Sequence, residues 1–262
     1  MGATLFYLVW IIPLMGIVRS APTERSIEIQ EPNTPSASPL EEAGFFEGDM
    51  LLTEHQEDII SSGRTALISP ESRWPRNTVY YVFDSTLSSQ QVIQIRQGLD
   101  YIENFSCIKF VPRTTQKDYV RVTGEYTGCW SFLGRRGGEQ QLNLQPNGCM
   151  SRGTIIHEFL HVLGFVHMQS SPERGFYVTI VYDAIQGGKQ SNFNLYQSKL
   201  VDNFGVPYDY DSVMHYSPTA FSKNGSQTII PSEQGVTIGQ RVGLSFKDIK
   251  RLNLHYPECH IQ

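Results

Sequence analysis

The sequence predicts an α+β domain, and three observations carry that expectation. Short runs with strand character and two longer runs of helical spacing share the stretch after residue 65. The composition is that of a globular chain, with 40% hydrophobic residues and 13 Tyr and 14 Phe among 262 residues. The four cysteines, Cys107, Cys129, Cys149 and Cys259, form an even set suited to two disulfides in an oxidising compartment. Their spacing alone leaves three pairings open.

Thr4 to Val18 is an apolar run too short to span a bilayer comfortably, followed by the small residues Ser20 and Ala21. Residues 1–20 therefore read as a secretory signal peptide, and no later run approaches membrane-spanning length. Secretion is expected, with storage in secretory granules as one route, and no membrane association once the signal is removed. Residues 21–43 are rich in Pro, Ser and Glu without apolar periodicity, and extended or disordered chain is expected there. Residues 21–64 hold ten acids and two bases, whereas 65–262 hold sixteen acids and eighteen bases, so the formal charge of −5 belongs to the front segment. The absence of a basic stripe argues against a nucleic-acid partner.

After Arg64 the elements follow in order. Thr78 to Phe83 reads as a strand. Ser88 or Ser89 caps a helix carrying Val92, Ile95, Leu99 and Ile102 on one face. Cys107 to Val111 and Tyr119 to Thr123 read as strands, a Gly-rich stretch covers 124–138, and Gln141 to Leu144 reads as another short strand. A second helix is expected from Arg152 to Phe165, with Gly164 near its end, followed by loops and short turns. Leu244 to Tyr256 reads as a last helix, with Ser245 and Asp248 as its capping box. Asn104 and Asn224 stand in glycosylation triplets.

Chemistry concentrates in the run HEFLHVLGFVH, residues 157–167. On a helix, His157 and His161 project from one face, and Gly164 lets the chain turn so that His167 reaches the same ion. Three imidazoles leave one position of a tetrahedral zinc open, which is the pattern of a catalytic rather than a structural site. Glu158 is placed beside the ion as general base and acid. The extended H-E-x-x-H-x-x-G-x-x-H pattern belongs to metzincin peptidases, which also carry a methionine turn. Ser212-Val213-Met214-His215-Tyr216 supplies one, with Met214 beneath the metal.

On these motifs the chain resembles the astacin family. Gly164-Phe165-Val166-His167 and the SVMHY turn match that family, and Gly137-Gly138 with Gln140 to Leu144 looks like its substrate-facing edge strand. The resemblance covers 65–262. It implies a two-lobed fold, with a twisted, mostly parallel or mixed sheet and two long helices above a cleft, and an irregular lower lobe with a C-terminal helix. It further implies one zinc ion, the bridges Cys107–Cys259 and Cys129–Cys149, and Tyr216 as a weak extra ligand that moves to the oxyanion. Protein and peptide substrates are implied, and a monomer is expected. Phe46-Glu47-Gly48-Asp49 resembles the family's pro-segment motif, so residues 21–64 are expected to be a pro-segment whose Asp49 holds zinc in the zymogen until an activating protease cuts near Arg64. By itself FEGD is also compatible with a surface turn. Ile238-Gly239-Gln240-Arg241 resembles members whose arginine favours acidic residues just after the scissile bond; otherwise Arg241 is a solvated surface residue.

Two departures follow His167. Met168 stands where the family usually has Glu, and Ser171-Pro172-Glu173-Arg174-Gly175 replaces a more charged stretch, which puts the anchoring of the mature N-terminus in question. The chain ends three residues after Cys259, so a compact layout like that of hatching-type members, without accessory modules, is expected. A secreted endopeptidase is the favoured reading, and a binding protein on the same scaffold with a structural zinc is the alternative.

Overall fold

The computed structural model describes residues 1, 38–62, 70–256 and 259; the expected signal peptide and the expected cut near Arg64 lie outside the described residues. The front segment carries more structure than its composition suggests. It forms α1 (Pro39–Glu42), a two-residue strand β1 (Met50–Leu51) and α2 (Glu54–Ser62). The start of α2 is capped reciprocally: Thr53 N–H donates to Gln56 Oε1 (2.9 Å) and Gln56 N–H to Thr53 Oγ1 (3.3 Å).

After residue 70 come β2 (Thr78–Phe83) and α3 (Ser89–Phe105). Of the two cap candidates, Ser88 caps α3, and Gln91 completes a capping box with it. Then come β3 (Lys109–Pro112), β4 (Tyr119–Thr123), β5 (Cys129–Phe132), β6 (Glu139–Leu144) and α4 (Arg152–Val162). Six strands form one sheet in the order β1-β5-β6-β4-β2-β3, parallel except for the antiparallel β5–β6 pair. Two expectations are corrected here. The Gly-rich stretch 124–138 contains β5, and Gln140 to Leu144 is an interior strand between β4 and β5, not the edge. Among the strands after residue 70 the edge is β5, along which β1 lies with Met50 opposite Ser131 and Leu51 opposite Phe132.

Helices α3 and α4 pack on the sheet through a mainly aliphatic core that includes Val79, Ile95, Leu99, Val120, Leu142 and Ile155, with Phe159 among them. Close approach requires Gly98, where a Cβ would come within 2.6 Å of Ile155 Cγ2. Residues Gly153 to Val162 of α4 are all buried, so the helix is central rather than amphipathic. Its C-terminal end is closed by long-range donors: Trp74 Nε1–H to Val162 O (2.9 Å) and the Tyr256 hydroxyl to Leu163 O (3.2 Å).

Below α4 the chain runs through 3-10 turns and one two-stranded sheet, β7 (Val178–Ile180) with β8 (Ile229–Pro231), around a second core rich in aromatic rings. Helix α5 (Phe246–His255) follows, with the Ser245–Asp248 capping box read from the sequence. Disulfides join Cys107 to Cys259 and Cys129 to Cys149. The first links positions 152 apart and the second 20 apart, each removing freedom from the unfolded chain. Among the described residues, no helix is long and apolar enough to cross a membrane.

Candidate metal centre

Helix α4 delivers His157, Glu158 and His161, all fully buried, and the turn at Gly164 (φ 97°) returns His167 to them. His157 Nε2 lies 3.2 Å from both His161 Nε2 and His167 Nε2. Each ring's other nitrogen is already engaged. His157 Nδ1–H donates to Val213 O (2.9 Å), His161 Nδ1–H to Phe165 O (2.7 Å) and His167 Nδ1–H to Glu47 Oε2 (2.8 Å). With the protons on Nδ1, three Nε2 lone pairs face one another, an arrangement that calls for a cation. The spacing is close to the ~3.3 Å edge of a tetrahedron with metal–nitrogen bonds of about 2.0 Å. The donor set therefore fits one zinc ion.

Asp49 completes the group, its ligand atom lying with those of the histidines within 4.8 Å of one another. Its Oδ2 is 3.1 Å from His157 Nε2, and its Oδ1 is 3.5 Å from His161 Nε2 and 3.3 Å from His167 Nε2. Oδ1 has no hydrogen-bond partner. Burial works against the ionised form of Asp49, yet the surrounding histidines hold it well below the usual carboxylate range. Burial, aided by Arg241, pushes His157 down to about 3, and burial lowers His161 as well. At His167 burial is outweighed by the Asp49 and Glu47 carboxylates, which lift it to about 9. A cation at the centre competes for that nitrogen, because only the unprotonated ring is a ligand.

Glu158 is fully buried and both carboxylate oxygens lack a hydrogen-bond partner. Burial first, and then the charge of Asp49, raise its pKa well above the ordinary value, with Arg241 opposing. An unpartnered carboxyl held in this way is suited to taking up and releasing a proton.

The methionine turn supports the cluster through its backbone. Val213 O receives the His157 proton, and Met214 O accepts from Met168 N–H (3.1 Å), next to the third histidine. The turn is itself held by Asp248, whose carboxylate accepts from Ser212 Oγ (2.6 Å) and Val213 N–H (2.9 Å). Asp248 was legible only as a helix cap; its second role needed the fold. The Tyr216 hydroxyl, expected at the metal, donates to the Glu47 backbone carbonyl, and its ring centroid is 4.7 Å from that of His167.

Arg241 is half-buried and not the solvated residue that a surface reading implies. Its Nη1 donates to His215 O (3.0 Å) and Gln240 O (2.8 Å), and it lines a crevice with Asp49, Tyr216 and Glu41. Gly153 of α4 admits the Arg241 backbone, which a Cβ would meet at 2.0 Å. Met168 packs into the lower aromatic core, and Arg174 donates to Gln169 O (2.9 Å). Glu47 escaped the sequence reading, since only Asp49 of FEGD carried a ligand signature.

Residues 66–257 match the peptidase family described as Astacin. The chain is 41% identical over 189 residues to zinc metalloproteinase nas-14 of Caenorhabditis elegans, covering 71% of this chain and 38% of that protein. It is 39% identical over 233 residues to blastula protease 10 of Paracentrotus lividus, covering 82% and 38%. The chain thus spans about two fifths of the length of these relatives. Among solved structures, high choriolytic enzyme 1 of Oryzias latipes, a hatching enzyme zinc-protease, superposes with a TM-score of 0.66 at 38% identity, covering 75% of this chain and 96% of that one. A mixed sheet over a buried tripod of His157, His161 and His167, together with these matches, places the chain in the astacin family of peptidases.

Proposed function

We propose that this chain is the precursor of a secreted, monomeric zinc endopeptidase that hydrolyses peptide bonds in extracellular proteins and is held silent by residues 21–64. The observation that carries this reading is the fully buried Glu158, without a hydrogen-bond partner, beside a three-histidine cluster whose fourth side is filled by Asp49 of the front segment. Similarity to a hatching enzyme zinc-protease supports protein substrates.

When bound, zinc supplies Lewis acidity to water and to the scissile carbonyl. His157, His161 and His167 would hold it, with their Nδ1–H bonds fixing ring orientation. Glu158, buried and without a hydrogen-bond partner, takes the proton from the attacking water and delivers it to the leaving amine. Tyr216, once released from the Glu47 carbonyl, donates to the oxyanion of the tetrahedral intermediate. Arg241, lining the crevice beside Asp49, favours an acidic residue just after the scissile bond. Met214 floors the site.

In the precursor Asp49 excludes water from the fourth position, and a trypsin-like cut near Arg64 releases it. Residues 1–20 direct secretion, which the two disulfides suit, and the exposed Asn104 and Asn224 are accessible to glycosylation. The test uses the precursor trimmed near Arg64 with trypsin. Casein or gelatin should be cleaved, cleavage should stop with a chelator, and Glu158→Ala should abolish turnover while zinc is retained. Bound zinc without chelator-sensitive turnover would favour the alternative, a binding protein on this scaffold.

A further inference from the structure

The three histidines are not held alike. His157 and His161 give their Nδ1 protons to carbonyls outside the front segment, Val213 O and Phe165 O. His167 gives its proton to Glu47, a residue of the front segment, and Glu47 is its Nδ1 partner among the described residues. We propose that Glu47 is a positioning residue of the latent site, fixing the third zinc ligand so that the front segment tightens the metal centre as well as covering it.

The local backbone is shaped for this contact. Glu47 (φ 47°) and Gly48 (φ 91°) are both left-handed, a conformation unfavourable for a non-glycine residue. Gly48 cannot be replaced without conflict, since a Cβ would lie 2.8 Å from Phe221 Cζ and 2.9 Å from Leu40 O. The turn is locked by Phe45 N–H to Gly48 O (3.1 Å), Gly48 N–H to Phe45 O (3.0 Å) and the Tyr216 hydroxyl on the Glu47 carbonyl. Its result is that residues 47 and 49, two apart, bring carboxylates to opposite nitrogens of one ring: Glu47 at Nδ1 (2.8 Å) and Asp49 at Nε2 (3.3 Å). Glu47 is 2% exposed, so its carboxylate is shielded from water that would otherwise compete for the bond.

A carboxylate on the distal nitrogen of a ligating histidine sets the tautomer and raises the basicity of the ligand, and losing such a partner typically costs about 10–100-fold in metal affinity. Cutting away the front segment therefore loosens one ligand of three while opening the fourth position. This inference rests on the reading of residues 21–64 as a removable latency segment, and the two are tested separately.

The zinc-loaded full-length precursor is compared with Glu47→Gln and Glu47→Ala by the rate of zinc release to a chromogenic chelator and by the ring N–H resonances of 15N-histidine-labelled protein. Glu47→Ala should release zinc about tenfold faster or more, and Glu47→Gln, which keeps an acceptor without its charge, by less. The His167 ring N–H resonance should move in both variants while those of His157 and His161 hold. After trypsin trimming, which discards residue 47, the release rates should converge. Release rates within twofold of the parent with unchanged resonances in the precursor, or differences that persist after trimming, would overturn the role of Glu47. If Glu47→Ala does not fold by circular dichroism, Glu47→Gln carries both readouts. Latency is read independently by comparing uncut and trypsin-trimmed parent protein on gelatin: equal cleavage by the two removes the latency reading and leaves the Glu47 measurements standing.

Discussion

The molecule above and below α4 is held together in two different ways. Above it, the sheet and helices close their own backbone hydrogen bonds and bury a mainly aliphatic core. Below it, residues 165–240 have two three-residue strands and a series of 3-10 turns around Phe193, Tyr208, Tyr216 and Phe221. There the backbone is tied down by side chains reaching in from α5. Arg251 Nη2 donates to Pro207 O (2.7 Å), Lys247 Nζ to Tyr208 O (2.7 Å), and Asp248 grips the methionine turn. Cys129–Cys149 lies wholly above, and Cys107–Cys259 fastens the chain just after α5 rather than the lower loops. A region held by side-chain anchors opens at lower free energy than one zipped by its own backbone. The metal centre lies at the junction, with His157 and His161 on the rigid side and His167 on the other.

Core truncation tests this contrast most strongly. Phe159→Ala in α4 should cost about 3–5 kcal/mol of global stability in chemical denaturation. Phe193→Ala removes a similar area from the lower core, but its effect should appear first as faster amide exchange and proteolysis within 165–240. Equal loss of global stability with no local exchange would show that the lower region does not open separately.

Asp248→Ala should come next. It strands Ser212 Oγ, Val213 N–H and Ser245 N–H, for a loss of about 3 kcal/mol. Zinc release should also quicken, because Val213 O orients His157. Unchanged zinc release would mean that the turn holds its shape without α5.

The smallest effect concerns His255, 4% exposed on the inner face of α5 and held down to about 4 by burial, with Arg73 adding to the shift. The unfolded imidazole takes up its proton near 6.5, so between 6.5 and 4 the unfolded state binds more protons and stability falls as pH falls. From about pH 6.5 to about pH 5 this contributes roughly 1.5 kcal/mol, read as the difference between parent and His255→Gln denaturation midpoints. Parallel pH profiles for the two proteins would remove His255 from the account.

The regular upper half was largely legible. Ser88 and the Ser245–Asp248 box announced two helix starts, because a cap needs a side-chain oxygen just before the first turn. Strand β5 was missed because CWSF is short and sits between glycines, where local signals favour a turn; its pairing with β6 is a long-range fact. The reciprocal cap of Thr53 and Gln56 was also present in the sequence, but the acidic composition around it masked α2. Helix α5 was read through Ile249 and Leu252, yet its buried face is Asp248, Arg251, Leu252 and His255, a mainly polar stripe. A hydrophobic pattern cannot report a helix that packs by anchoring loop carbonyls.

The spacing HEFLHVLGFVH sufficed to specify three imidazoles and one carboxylate around an ion, since helical geometry and a glycine turn act over a dozen residues. SVMHY and FEGD named the turn below the metal and the aspartate above it. What completes the site comes from far along the chain: Val213 O and Phe165 O behind two rings, Glu47 behind the third, and Asp248 behind the turn. Backbone carbonyls have no side-chain signature, and Glu47 looks like any acid in an acidic segment. Their roles arise when burial removes water as the competing partner, and that follows from the packed fold.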